Sequence, residues 1–153
     1  DERFCEELLL WVEQASLPPG TICFEITEST AIAQLSTATL LIRRLRQRGC
    51  RFALDDFGAG LSSFAYLRQL PVEYLKIDGA FIKDIDTDPI NRAMVEAINT
   101  VGHTMGLKTI AEFVETPATM AQLSRLGIDL AQGYLIDRPQ PLETLSDVRV
   151  MPR

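Results

Sequence analysis

Histidine occurs once in the 153 residues, at His103, and cysteine three times, at Cys5, Cys23 and Cys50, with no CxxC pairing. A zinc framework or a disulfide scaffold therefore cannot organise this fold. An odd number of dispersed thiols fits reduced cysteines in a cytoplasmic compartment, packed as small hydrophobes. Long apolar stretches are also missing. The longest uninterrupted run, Leu8 to Val12, is five residues, against the ~20 that a membrane-spanning helix requires. The start carries no charged-then-apolar leader, so a secretory signal is not expected, and Asp1-Glu2-Arg3-Phe4 reads as the inside of a helix. Positive charge is in the minority, with 15 Lys and Arg against 21 Asp and Glu, for a net charge of −6. That balance opposes binding to long nucleic acid, where affinity comes from neutralising phosphates. It remains compatible with a small phosphate ester, provided a divalent cation separates the two sets of negative charge.

What is present is a composition of 46% hydrophobic and 24% charged residues, enough to bury one sizeable core. Phe4, Leu8, Trp11, Val12 and Ala15 fall on one face of a helix of period 3.6, which Leu17-Pro18-Pro19-Gly20 ends. Thr21 to Thr27 reads as a strand. A helical stripe follows through Leu35, Ala38, Leu41, Ile42 and Leu45, with Gly49 as its C-cap. The alternation continues with a strand from Arg51 to Asp55, a glycine-bearing loop from Phe57 to Gly60 and a helix opening at Ser62 or Ser63. Next come a strand from Tyr74 to Asp78 and a helix through Met94, Ala97, Ile98, Val101 and Met105, closed by Gly106. A fourth strand, Lys108 to Ala111, precedes a helix with Thr116 as N-cap and Pro117 at its first position, ending at Gly127. A short fifth strand, Ile128 to Ala131, leads into Gln132-Gly133-Tyr134.

Strands that alternate with helices and are apolar nearly throughout predict an α/β fold with a parallel sheet covered by helices. No linker or repeat interrupts the pattern, so a single domain is expected. About five βα units are visible. A (β/α)8 barrel needs eight units and roughly 250 residues, so a barrel would lack its first two or three strands, whereas a five-stranded doubly wound sheet would fit the length.

Polar residues gather at the strand ends. Glu25 and Glu28, Asp55 and Asp56, Asp78, Glu112 and Glu115, and Gln132 all lie at or just past the C-terminal end of a predicted strand, the rim where parallel α/β folds bind ligands. Any one of these carboxylates, Glu28 or Asp78 for instance, could instead cap the next helix. Asp55-Asp56 resists that reading, because Ala53, Leu54 and Phe57 around it are apolar and would leave both acids half-buried. Acids collected at one rim repel and lose hydration unless cations lie between them, and an oxygen-only donor set favours Mg²⁺ or Mn²⁺. Lys76 shares the Asp78 side of its strand and could hold a water or stabilise a phosphoryl oxygen, or make a structural ion pair. His103 lies away from every strand end and reads as a surface or boundary residue. Arg43, Arg44, Arg46, Arg48 and Arg51 read as a solvated helix face and its exit.

Phe24-Glu25-Ile26-Thr27-Glu28, Asp55-Asp56-Phe57-Gly58-Ala59-Gly60 with Ser62-Ser63 and Tyr66-Leu67, Leu75-Lys76-Ile77-Asp78, Ala111-Glu112-Phe113-Val114-Glu115-Thr116, and Gln132-Gly133-Tyr134 closely resemble, in order and spacing, the successive motifs of EAL-domain cyclic-di-GMP phosphodiesterases. The resemblance implies an incomplete (β/α)8 barrel, with residues 1–153 as one partial domain and 143–153 as its C-terminal tail. It implies that Glu25 and Asp55 bind a first metal ion and that Asp55, Asp56 and Glu112 surround a second, the ions being Mg²⁺ or Mn²⁺. Lys76 and Gln132 would hold the attacking water or substrate, Glu112 would also be the general base, and Pro139 would lie near a guanine. Glu28 would anchor the loop from Phe57 to Ser63, which contains Gly58, Gly60 and Ser62 and serves substrate response and homodimer contact. Asp78 and Glu115 would support the ligands from behind.

The implied activity is hydrolysis of cyclic di-GMP to a linear dinucleotide in bacterial second-messenger signalling. The alternative is a degenerate receptor that binds the dinucleotide without cutting it. The name-giving Glu-Ala-Leu motif and an asparagine ligand are absent and would belong upstream of Asp1, so this stretch alone is expected to be weakly active or inactive. Sensory or diguanylate-cyclase (GGDEF) modules are expected in the parent chain, which could itself be membrane-anchored. Leu61 stands where the family often has tyrosine, and Phe113 where it often has glycine.

Overall fold

The computed structural model describes residues 2–58 and 64–141. The chain opens with helix α1 (Glu2–Ala15), followed by strand β1 (Cys23–Thr27) and helices α2 (Glu28–Ala33) and α3 (Leu35–Arg46). Strand β2 (Arg51–Phe57), a single 3-10 turn (Leu67–Gln69) and strand β3 (Tyr74–Ile77) come next. Helices α4 (Gly79–Ile82) and α5 (Pro89–Thr104), strand β4 (Lys108–Ala111), helix α6 (Pro117–Leu126) and strand β5 (Leu130–Ala131) complete it. All strands are parallel and their order is the order of the chain, β1-β2-β3-β4-β5. That order decides between the two architectures left open by the sequence. A doubly wound sheet reverses its strand order at a switch point, and no reversal occurs here, so the strands form part of a barrel wall.

Local chemistry accounts for the elements. Asp88 caps α5 through Ile90 N, with Pro89 in the first turn. Thr116 caps α6 through Thr119 N, and Gly127 ends it at φ 73, where a β-carbon would be strained. The stripe through Leu35, Ala38, Leu41, Ile42 and Leu45 forms α3 as one helix, and a further short helix, α2, precedes it, set apart where Gln34 leaves helical geometry at φ −136. The helix expected at Ser62 or Ser63 and the tail from 143 lie outside the described residues. The fifth strand is shorter than expected, since Ile128 is still engaged in closing α6 through its bond to Leu123 O.

Leu54, Leu75 and Ile77 of the inner strands are fully buried against Ile42 and Leu45 of α3, Val95 and Ile98 of α5 and Leu123 of α6. Each side chain of this size contributes roughly 1.5–3 kcal/mol of burial free energy. β1 lies at one margin of the sheet, and its Cys23 is exposed rather than packed, while Cys50 is buried and Cys5 intermediate. Among the described residues no helix is long and apolar enough to cross a membrane.

A polar network closes the N-terminal end of the sheet. Buried Asn99 donates to Leu126 O at 2.9 Å, and the Thr109 hydroxyl lies 2.6 Å from Asn99 Oδ1. Asp129 Oδ2 accepts from Thr109 N at 2.8 Å and meets His103 Nε2 at 2.7 Å. The single histidine is therefore tied to the start of β5 rather than lying apart from every strand end. Burial pushes the Asp129 carboxyl up, but the bonds from Thr109 and His103 outweigh it and hold the group below its ordinary range. A carboxyl depressed on folding stabilises the protein above its unfolded pKa, and that contribution is lost as pH falls through the lower folded value. The stability gap between the parent and Asp129→Asn, on the order of 1 kcal/mol for so exposed a group, should be open at pH 7 and close below about pH 4. Urea unfolding at both pH values measures it, and a gap independent of pH contradicts the assignment.

Candidate metal centre

Three of four consecutive strands deliver acids to the C-terminal rim, and the remaining one carries a lysine between them. Glu25 on β1, Asp55 on β2 and Glu112 directly after β4 each place a carboxylate oxygen 2.9 Å from Lys76 Nζ on β3. Lys76 is 3% exposed. Burial alone would push its ammonium toward neutrality, but the ion pairs with Glu112, Glu25 and Asp55 prevail and raise it well above the ordinary lysine range. Glu112 moves upward as well. Desolvation is the largest cause, opposed by Lys76 and reinforced by Asp55 and Asp56.

The adjacent pair Asp55-Asp56 needs a device, since successive residues of a regular strand point to opposite faces. Ala53 and Leu54 pair with Tyr74 and Leu75, whereas Phe57 pairs with Ile77, so Asp55 and Asp56 together face Lys76 in a bulge. Asp56 adopts φ 54, a left-handed conformation that is strained for a residue with a β-carbon. The outcome is that Asp55, Asp56 and Glu112 offer oxygens all within 4.8 Å of one another. Sequence spacing alone did not reveal this bulge.

These groups suit a hard divalent cation. The donors are all carboxylate oxygens. Asp55 Oδ1 is also buried with no aligned hydrogen-bond donor, Lys76 Nζ meeting it at ion-pair distance but off the hydrogen-bonding angle. Glu25, whose side chain is 50% exposed, reaches the cluster through Lys76 and stands outside the group of three.

Glu28 sits beneath the rim, 3% exposed. Thr27, not Glu28, caps α2, which frees the Glu28 carboxylate to accept from Gly58 N at 3.2 Å and from the Tyr66 hydroxyl. Those contacts hold both flanks of the loop after β2. Gly60 and Ser62 fall outside the described residues. Asp78 turns to Ala80 N at 2.7 Å as the cap of α4, so the sharing of a strand side with Lys76 does not bring it into the cluster. Gln132, Glu115 and Pro139 are exposed. Glu115 and Gln132 line one cavity of about 240 Å³ with Phe113, Gly133 and Tyr134. Gly133 is held where a β-carbon would come within 2.3 Å of Val114 backbone atoms, and Val114 N bonds Gln132 O at 3.1 Å, so the segment after β5 is sewn onto the one after β4. Phe113 stands at φ 52, the backbone conformation that a glycine adopts without strain. Its ring covers Gly79, where a β-carbon would clash at 2.2 Å, a pairing the sequence reading missed.

The EAL-domain family model matches residues 1–139 of this chain. The chain belongs to the EAL-domain family. It is 48% identical over 126 residues to the cyclic di-GMP phosphodiesterase PdeB of Shewanella oneidensis, covering 82% of this chain and 15% of that protein. It is 42% identical over 130 residues to MucR of Pseudomonas aeruginosa, named a bifunctional diguanylate cyclase/cyclic di-GMP phosphodiesterase, covering 85% of this chain and 19% of that one. Among solved structures, the MucR phosphodiesterase in complex with c-di-GMP superimposes with a TM-score of 0.81 at 41% identity, over 88% of this chain and 54% of that chain. The FimX EAL domain from Pseudomonas aeruginosa bound to c-di-GMP gives 0.84 at 30% identity, over 92% and 57%. The chain thus spans under a fifth of the curated relatives' length and little more than half of the solved EAL chains, and its five strands are part of an EAL-type barrel.

Replacing Lys76 tests the electrostatics of the rim directly. Lys76→Met leaves the carboxylates without their shared cation, and removing one partner of a buried ion pair costs roughly 3–5 kcal/mol. The remaining acids then have folded-state pKa values above their unfolded ones, so stability should return as pH falls through the carboxylate range. Millimolar Mg²⁺ at pH 7 should restore part of it. Chemical denaturation of the variant with and without Mg²⁺ measures both effects, and a deficit insensitive to pH and cation contradicts the account.

Proposed function

We propose that the complete protein carrying this chain hydrolyses one phosphodiester bond of cyclic di-GMP, giving the linear 5′-phosphoguanylyl-guanosine, with two Mg²⁺ or Mn²⁺ ions at the rim. The observation that carries this reading is the meeting of Glu25, Asp55 and Glu112 on Lys76, with Asp56 swung into the same group by the bulge. The c-di-GMP complexes of similar EAL domains support the ligand.

Glu25 and Asp55 would hold one ion, and Asp55, Asp56 and Glu112 the other. When bound, such ions supply Lewis acidity toward a phosphate oxygen and a lowered pKa for water. The protein side of the chemistry follows from the rim itself. Lys76 keeps its proton under all ordinary conditions, so it serves as a fixed positive charge and donor for water or a phosphoryl oxygen rather than as a base. Glu112, which burial pushes upward in the ion-free rim, would serve as the general base. Gln132 and Pro139 would contact substrate. Asp78 and Glu115 would support the site from the α4 cap and the β4–α6 segment. Glu28 would set the loop over residues 57–63, with Gly58, Gly60 and Ser62, which is also the proposed contact between two copies.

The preceding strands of the barrel would supply a further glutamate and an asparagine. This stretch by itself should accordingly be weakly active or inactive. A cytoplasmic location and fusion to sensory or diguanylate-cyclase modules accompany this reading.

The complete protein should convert cyclic di-GMP to the linear product only with Mg²⁺ or Mn²⁺ present. Glu112→Gln should lower kcat by about 10²–10⁴-fold, the range for loss of a general base, with Asp55→Asn at least as severe. Chromatographic product analysis decides the matter. Turnover of Asp55→Asn at the parent rate refutes the site, while tight binding of cyclic di-GMP without turnover by the parent replaces hydrolysis with a receptor role.

A further inference from the structure

At the opposite end of the sheet from the acidic rim, an open groove of about 500 Å³ is lined by Arg43, Arg46 and Arg51, with Gln47 and the turns at Pro19-Gly20 and Gly49-Cys50. Its volume lies within the range of small-molecule sites. Glu73 is the one carboxylate in the lining, so three guanidiniums face a single acid in a chain whose net charge is −6.

Two of the three guanidiniums are held in place. Glu73 Oε1 pairs with Arg46 Nε at 2.6 Å, while its other oxygen accepts from Phe52 N at 2.9 Å. Arg51 donates to the Tyr74 hydroxyl at 2.9 Å and lies flat against Gly20, where a β-carbon would come within 2.9 Å of its Nη2. Gly20 N bonds Gly49 O at 2.7 Å, which fixes the two turns that form the walls. Arg43 is exposed, and among the described residues its guanidinium has neither a hydrogen bond nor an ion pair. A solvated helix face would not need glycine backbone and a tyrosine hydroxyl to orient its arginines. Arg43 thus keeps its whole fork, and Arg51 keeps donors beyond its bond to Tyr74, for the geometry of phosphate oxygens.

We infer that this groove is a second ligand site, remote from the acidic rim, for a small phosphorylated anion, with Arg43 and Arg51 as its principal donors and Arg46 as supporting charge. The inference does not depend on the hydrolytic reading, because no rim residue takes part.

Inorganic pyrophosphate, titrated calorimetrically into the full-length protein with EDTA present, is the probe. Vesicles of phosphatidic acid in phosphatidylcholine form a second arm, which tells a lipid headgroup from a free phosphate. Binding to either probe should weaken as salt is raised. It should fall roughly ten-fold or more in Arg43→Glu, consistent with loss of one charge-assisted contact. Among the described residues Arg43 has no partner to lose, so this variant should fold as the parent does. Arg51→Lys should weaken binding as well, since a lysine keeps the charge but not the fork. Asp55→Asn should leave binding unchanged. Absence of binding to both probes, indifference to Arg43→Glu, or loss of the signal in Asp55→Asn overturns the proposal.

Discussion

An ammonium group with 3% of its residue surface exposed is stable only where opposite charges compensate the several kcal/mol lost with its hydration. Lys76 finds three such charges, each from a different strand and each 2.9 Å away. The dependence runs in both directions. The lysine relieves the repulsion among the carboxylates, and they compensate its burial. Parallel pairing makes this possible, because the register that sets Thr27 beside Asp55 and Ile77 beside Ala111 brings successive strand ends to one level.

Strain sits beside this cluster. Asp56 at φ 54 and Phe113 at φ 52 each flank a cluster carboxylate in sequence, and such conformations cost of order 1–3 kcal/mol apiece unless the surroundings enforce them. At Asp56 the bulge against Lys76 enforces it, and the gain is a second aspartate on the same face. At Phe113 the ring closes over Gly79 while Gly133 presses on Val114. The opposite end of the sheet is held differently. There Asn99, Thr109, Asp129 and His103 form a hydrogen-bonded closure that holds α5, α6 and the starts of β4 and β5 together. One end is built for adhesion and the other for charge.

The alternation of strands and helices, the caps at Thr116 and Gly127 and the gathering of acids at the rim were legible in the sequence, because periodicity and capping are local properties. The direction of strand winding was legible through the family resemblance and not through periodicity. It depends on which strand lies beside which, and in the structure the consecutive order of the sheet separates a barrel wall from a doubly wound sheet. Asp78 and Glu28 show the same limit in detail. Both follow strands, yet Asp78 caps a helix, while Glu28 is relieved of that task by Thr27 and reaches a loop thirty residues on. The bulge escaped because it is defined by a register against β3 rather than by the residues of β2, and the glycine opposite Phe113 escaped for the same reason. Arg51 read as the exit of a solvated helix face, because its contacts with the Gly20 turn and the Tyr74 hydroxyl join residues far apart in the chain.

The central claim, that side chains far apart in the chain converge as a divalent-cation site, is tested most directly by a crystal structure of the intact protein grown with Mn²⁺ and measured at the manganese absorption edge. The account expects anomalous density among the carboxylates of Asp55, Asp56 and Glu112, with Lys76 still against the cluster. The same three side chains directed apart, with no anomalous peak between them, would contradict it.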